Sequence, residues 1–358
     1  MRRFPFLRLG LGLAISVAAI VLIARTVSAN DVLESVRAGN PLLLIPAVAL
    51  YFVGLGARSL RWRVLLVNQP VGLVLLFRTL VIGFTVNDIL PARIGELARI
   101  VLLARKASIP SGISFASIIA ERVLDGLVVT AFLIVGLIRV PGDEGLRLVA
   151  RFATVVFVAL TLGIVAAALA PDPFRRVGLA LARLAPGHWT ERLTRLVHFT
   201  LEGLAALTAW RTAGLALGLS ILVWTIEATT YRIIMLGFPV PGGMTAAVMG
   251  TGVANLATLV PSSPGYVGTF DAALQSTLVG AFQAVPSEAL AFTVVVHLAV
   301  LVPVVILGLV YIWQEGFTLG GLSRVSSQPR PEASRDVDEV EVDARIRVGA
   351  GKRGRNRR

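Results

Sequence analysis

Apolar residues fall along most of this chain in long blocks separated by short polar stretches. Runs over 9–24, 41–57, 113–138, 148–170, 212–236 and 288–313 are each about the length, near 18 or more residues, that a helix needs to cross the hydrocarbon core. Two further apolar stretches, 71–104 and 244–283, are interrupted by Asn, Asp, Pro, Gly and Glu. The pattern predicts an all-α polytopic membrane bundle with about six full spans and two broken helical hairpins. Each hairpin either re-enters or crosses fully twice, which leaves an eight-span reading open. In both cases its two ends emerge on the same side. Short alternating segments of the kind a membrane barrel shows are absent.

Composition agrees with this pattern. Hydrophobic residues make up 56% of the chain and charged residues 15%, with mean hydropathy +0.80; soluble domains are nearer a quarter charged, about 25%. The chain has no cysteine, which removes disulfides, thiolate metal sites and cysteine nucleophiles. His188, His198 and His297 are far apart in sequence, and no metal or cofactor is expected. The net charge of +13 is carried almost wholly by arginine, Lys106 and Lys352 being the only lysines. This charge lies near span ends and in the tail, pointing to anionic lipid headgroups rather than nucleic acid.

The basic segments are the N-terminus, RSLRWR at 58–63, Arg105-Lys106, 171–210 and the tail. Placing them all inside puts both termini in the cytoplasm of an inner membrane. Residues 1–317 then form the membrane domain, in halves of about 1–170 and 211–317. An amphipathic linker over 171–210 lies on the membrane, and a charged disordered cytoplasmic tail covers 318–358. The N-terminal run is either an anchor or a signal peptide cleaved near Val27-Ser28-Ala29.

The two interrupted segments resemble each other. GFTVNDILPARIGE runs from Gly83 to Glu96, and GVANLATLVPSSPGYVGTFD from Gly252 to Asp271. Each has Gly followed closely by Asn, then Pro-x-x-x-Gly (Pro91 to Gly95, Pro264 to Gly268), then a carboxylate, Glu96 or Asp271. The predicted topology opens them from opposite sides, as in an inverted repeat. Proline breaks a helix interior and glycine frees the backbone to turn. Broken backbone is tolerated in hydrocarbon only where protein buries it or water reaches it. Paired interruptions in two halves of a transporter mark a central substrate site, and the helix N-termini exposed there suit an anion such as a lipid phosphate. The alternative is that the breaks are kinks that help helices pack.

RSLRWRVLL at 58–66, NDILPARIGELARIVLLARK at 87–106, ERVLDGL at 121–127 and PSSPGYVGTFDAA at 261–273 resemble the transmembrane region of lysylphosphatidylglycerol synthases and related stand-alone flippase-like proteins. The resemblance covers most of 1–315. It implies movement of a lipid or lipid-linked headgroup between leaflets. The soluble aminoacyl-transferase domain of the bifunctional relatives is not expected after the last span. The second motif carries Thr269-Phe270-Asp271 where relatives often have Arg-Glu.

The candidate substrate-binding residues are Asn87, Pro91, Arg93, Gly95, Glu96, Arg99, Glu121, Arg122, Asp125, Asn255, Pro264, Gly265, Gly268 and Asp271; no catalytic residue is assigned. Charges at membrane depth are costly and default to functional roles. Arg93 and Arg99 suit bidentate phosphate contact, or else snorkel to the interface. Glu121, Arg122 and Asp125 either pair with Arg93, Arg99 or a lipid headgroup, or sit near the cytoplasmic interface as a structural ion network. Asn87 and Asn255 bind substrate or cap broken helix ends. Glu227 either carries a coupling proton or pairs with an arginine. His297 is either a satisfied interior residue or a proton relay.

The functional expectation is a lipid transporter for an anionic phospholipid or a polyprenyl-phosphate-linked lipid. No ATP-binding signature is present, so energy comes from an ion gradient or downhill flow. Two alternatives are a membrane-embedded headgroup or glycosyl transferase and a non-catalytic partner of a separately encoded transferase.

Overall fold

The computed structural model describes residues 16–18, 20–21, 27–67, 69–90, 94–140, 144–185, 188–206, 209–260 and 262–315. It divides into units 1–311 and 312–358, and in the second the described residues are 312–315, of which 312–314 are helical. Pro91, Arg93 and Pro261, the charged tail and most of the first apolar run lie outside the described residues.

The described chain is α-helical. A short helix, α1 (Ala29–Ala38), starts at Ser28, whose hydroxyl accepts the Asp31 N–H at 3.2 Å. A 3-10 turn at Pro41–Leu43 leads into α2 (Leu44–Leu65). The first interrupted segment forms α3 (Leu73–Ile89) and α4 (Gly95–Lys106). Next come α5 (Ser111–Arg139) and α6 (Glu144–Leu169). The expected linker forms α7 (Pro171–Arg183) and α8 (His188–Ala206). The second half repeats the order: α9 (Trp210–Met235), a hairpin of α10 (Gly243–Ala257) and α11 (Thr269–Phe282) around a 3-10 turn at Pro264–Tyr266, then α12 (Pro286–Gln314).

Among the described residues, four helical stretches are long and apolar enough to cross a bilayer: Pro41–Leu65, Glu144–Leu169, Trp210–Met235 and Pro286–Gln314. The chain is an all-α membrane bundle. Helix α5 equals α12 at 29 residues but carries Glu121, Arg122 and Asp125 within its apolar sequence. Part of the expected linker packs against the bundle. Helix α8 packs along α5, with Leu201 and Leu204 buried beside Ala116 and Ala167, so its apolar face is covered by protein.

With lipid as apolar as leucine, small residues that let helices approach closely drive association. The Phe157 ring sits where a side chain on Gly126 would project, and Met249 occupies the notch at Gly136. A Cβ on Gly252 would lie 2.6 Å from the Val129 carbonyl oxygen, so α10 meets the α5 backbone directly. Helices α2 and α9 run against each other, with Gly54 facing Ile226. Many hydroxyls within the helices donate back one turn, as Thr154 does to the Ala150 carbonyl at 2.7 Å, and so enter the bundle satisfied, whereas those of Ser114, Thr130 and Thr293 are buried without a hydrogen-bond partner.

The RSLRWR segment differs from its expected place at a span end. Arg58 and Arg61 lie inside α2 and are 7% and 0% exposed. Carboxylates on facing helices compensate them, so they carry no information about which end of the span faces the cytoplasm.

Candidate functional site

The two hairpin breaks converge on one cavity of about 150 Å³, room for on the order of ten waters. Asn87 and Asp88 reach it from the last turn of α3, Asn255 and Thr258 from the end of α10, and Gly265 and Tyr266 from the second turn. Arg122 comes from α5, Arg58 from α2, Glu227 from α9 and His297 from α12. The walls between them are aromatic, including Phe84, Trp224, Tyr231 and Phe270.

Each break is closed by its own polar residue. In the first hairpin the Asn87 side-chain oxygen accepts the Gly95 N–H at 2.7 Å, which satisfies one of the donors a helix start leaves orphaned. Gly95 is obligatory there, because a Cβ would overlap the Gly83 carbonyl oxygen and the Asn87 amide. In the second hairpin Gly268 precedes α11 at φ 91°, a conformation that favours glycine. Its N–H donates to Asp271 Oδ2 at 2.9 Å. Asn255 does not cap a helix start. Its amide donates to the Glu227 carboxylate at 3.1 Å and to the Thr251 carbonyl at 2.9 Å.

The carboxylates that follow the breaks are matched by basic residues on the next long helix. Glu96 in the first turn of α4 lies 3.5 Å from Arg122 on α5. Asp271 in the first turn of α11 lies 2.8 Å from His297 on α12. The two halves thus repeat an interaction as well as a sequence motif. Arg122 keeps a third of its side chain exposed, against 0% for Arg61 and Arg99, and it is the arginine best placed to meet a ligand in the cavity.

The other charges form a buried network that reaches the cavity wall at Arg58 and Glu227. Arg99 makes a bidentate pair with Glu121, both bonds 2.9 Å, while its guanidinium stacks 3.9 Å from the Trp62 ring centre. Arg61 pairs with Asp125, and Asp125 also accepts the Trp224 indole N–H at 2.8 Å. Arg58 pairs with Glu227 at 2.5 Å and stacks on Trp224. Planar guanidinium suits this bidentate, stacked environment better than an ammonium would.

Of the sequence-predicted residues, Asn87, Arg122, Asn255 and Gly265 line the cavity. Gly95, Glu96, Pro264, Gly268 and Asp271 build the two breaks that frame it. Arg99, Glu121 and Asp125 belong to the buried network, and Arg99, fully enclosed by Glu121 and Trp62, has no free face for a headgroup. Pro91 and Arg93 fall outside the described residues. Sequence reasoning missed Arg58 and Asp88 as cavity residues. Asp88 stands next to Asn87 in the first motif, a signal that was available. Arg58 opens RSLRWRVLL, one of the motifs that carry the family resemblance, but a basic residue near the end of an apolar run reads as an interfacial anchor.

Residues 10–308 match the family described as the lysylphosphatidylglycerol synthase TM region, and the chain belongs to this family. It is 27% identical to Glycosyltransferase AglD of Haloferax volcanii, over 80% of this chain and 51% of that protein. The chain therefore spans about half the length of that relative. It is 24% identical to a UPF0104 membrane protein of Methanothermobacter thermautotrophicus, over 72% of this chain and 80% of that one. No solved structure matches it.

Proposed function

We propose that this member of the lysylphosphatidylglycerol synthase transmembrane-region family moves the headgroup of an anionic lipid, a phospholipid or a polyprenyl-phosphate-linked lipid, between leaflets through the central cavity. The observation that carries the reading is the convergence of both hairpin breaks on one polar cavity that holds Arg122. The site lies among apolar helices, so polar lining and broken backbone there need a function to offset their cost. A cavity of about 150 Å³ takes a headgroup phosphate and leaves acyl chains in the bilayer. Under this reading the protein lies in the inner membrane with both termini cytoplasmic, and the hairpins open towards opposite faces.

The test is lipid exchange in vesicles holding the purified chain with fluorescent phosphatidylglycerol or a polyprenyl phosphate. Dithionite quenching reads leaflet exposure of the first, and headgroup accessibility reads the second. Protein-dependent exchange that falls at least about tenfold in Arg122→Ala, the loss expected for one charge-assisted phosphate contact, supports the reading. Absence of exchange for both lipids sinks it.

The similarity to a protein named a glycosyltransferase favours a second reading, in which the chain acts on the lipid headgroup or supports a separately encoded transferase. Turnover of a headgroup donor by the purified chain distinguishes the first of these. Co-purification with a transferase, in the absence of exchange, distinguishes the second.

A further inference from the structure

We propose that His297 and Asp271 form a proton-binding site that latches the second hairpin to α12, so that release of one proton opens the cavity. Resting on the transport reading above, this makes a proton the coupling ion.

Hydrogen-bond valence carries the argument. His297 Nε2 lies 2.8 Å from the Gly265 carbonyl oxygen, and a carbonyl only accepts, so Nε2 bears a hydrogen. Nδ1 lies 2.8 Å from Asp271 Oδ1, and that contact also needs a hydrogen on one of its two atoms. The pair is therefore an imidazolium against a carboxylate, or a neutral ring against a carboxylic acid. Either form holds one proton more than a neutral ring facing a carboxylate. When that proton leaves, one of the two contacts becomes lone pair against lone pair, and the ring cannot keep both.

Both contacts fall on the second hairpin, one on its turn and one on the first turn of α11. Gly265 sits in the turn at φ 66°, and Asp271 holds the Gly268 N–H with its other oxygen. The end of α3 also rests on this turn: a Cβ on Gly265 would lie 3.5 Å from the Asp88 carbonyl oxygen. Freeing the turn thus loosens the place where the two halves meet.

Most of the neighbouring charges are paired with one another. Arg58 and Glu227 neutralise each other at 2.5 Å, and Arg122 faces Glu96 and Glu121. Tyr51, Tyr231 and Tyr266 are phenols, neutral where histidine titrates. Asp88, a second titratable carboxylate, faces the same cavity, and a pH step that belonged to it would survive His297→Ala. The repeat sharpens the point. The equivalent pair in the first half, Glu96 with Arg122, uses a base that never loses its charge, whereas the second half uses histidine, whose charge changes near neutral pH.

Thr258→Cys places a single thiol on the cavity wall of this cysteine-free chain. The full chain in phosphatidylcholine–phosphatidylglycerol vesicles is reacted with a charged methanethiosulfonate between about pH 5 and about pH 9, the range spanning histidine ionisation. Rates are corrected for thiolate fraction. The corrected rate is expected to rise at least about tenfold with pH, reflecting loss of one charge-assisted hydrogen bond. Adding Asp271→Asn keeps it low at every pH, because an amide donates to Nδ1 of the neutral ring and still accepts the Gly268 N–H. Adding His297→Ala keeps it high at every pH.

A pH step that survives His297→Ala, or an Asp271→Asn variant open at every pH, overturns the proposal. Exchange of fluorescent phosphatidylglycerol under an imposed pH gradient separates the two readings. A thiol step without any exchange removes the transport reading and keeps the proton site. Exchange with neither a thiol step nor a gradient response removes the proton site and keeps transport.

Discussion

Glu121→Gln tests whether the charges beside the cavity hold the bundle together. Glu121 is 1% exposed and takes both 2.9 Å bonds from Arg99, with Arg61 at 3.8 Å and Arg122 at 3.6 Å from its carboxylate. The amide keeps the shape and removes the charge. Arg61 keeps Asp125, and Arg122 keeps Glu96. Arg99 is left enclosed against the Trp62 ring without the counter-charge of its bidentate partner. Removing one partner of a buried pair costs about 3–5 kcal/mol, whereas replacing both with apolar residues of similar volume is often close to neutral. Arg99→Met with Glu121→Leu therefore recovers more than half of the loss. The assay is equilibrium unfolding in mixed micelles followed by tryptophan fluorescence, for which Trp62 and Trp224 lie within the network. A single-variant loss below about 1 kcal/mol, the range of an exposed pair, would refute the argument. So would a double variant less stable than either single.

Four further outcomes follow from the geometry of the hairpins and the cavity. Gly95→Ala drives a methyl into the Gly83 carbonyl oxygen and the Asn87 amide; it is expected to cost about 1–3 kcal/mol by overpacking and to slow lipid exchange, and unchanged unfolding would show that the first hairpin is looser than described. Gly268→Ala puts a side chain at φ 91° and 2.7 Å from the Ser16 carbonyl oxygen, with an expected loss of at least about 1–2 kcal/mol, read by the same titration. Asn87→Ala removes the acceptor for the Gly95 N–H and is expected to cost about 1 kcal/mol; Arg122→Ala, by contrast, is expected to reduce exchange with unfolding changed by less than about 1 kcal/mol, since a third of its side chain is exposed.

The two hairpins use the same elements for different purposes. Asn87 closes the first break itself, while the second is closed by Asp271, leaving Asn255 to hold Glu227. The N-terminal residues join the second break as well: Ser16 is buried and its hydroxyl accepts the Ser263 N–H at 2.9 Å. Sequence similarity between the halves therefore marks where the backbone breaks, and the partner that satisfies each break is settled locally.

Length and polarity of the apolar runs determined the class of this protein, because hydrocarbon admits few backbone solutions and a helix satisfies its own hydrogen bonds. The Asn, Pro and Gly spacing likewise located both breaks, since those residues act on the backbone within a few positions of themselves. Arg122 and Asn255, which line the cavity, stood out in the sequence because they lie in motifs whose composition is costly in a membrane. What each charge faces was decided only by the packing of helices far apart in sequence. Arg58 meets Glu227 across 169 positions and Arg61 meets Asp125 across 64, and no local pattern records such a meeting. Arg99 and Arg122, both read as candidates for a headgroup, separate into a buried structural pair and a cavity residue because α5 presents Glu121 inwards and Arg122 towards the opening. His297 shows the same limit. The sequence left it between interior residue and proton relay, and only the closure of α11 and its turn against α12 gave it two acceptors.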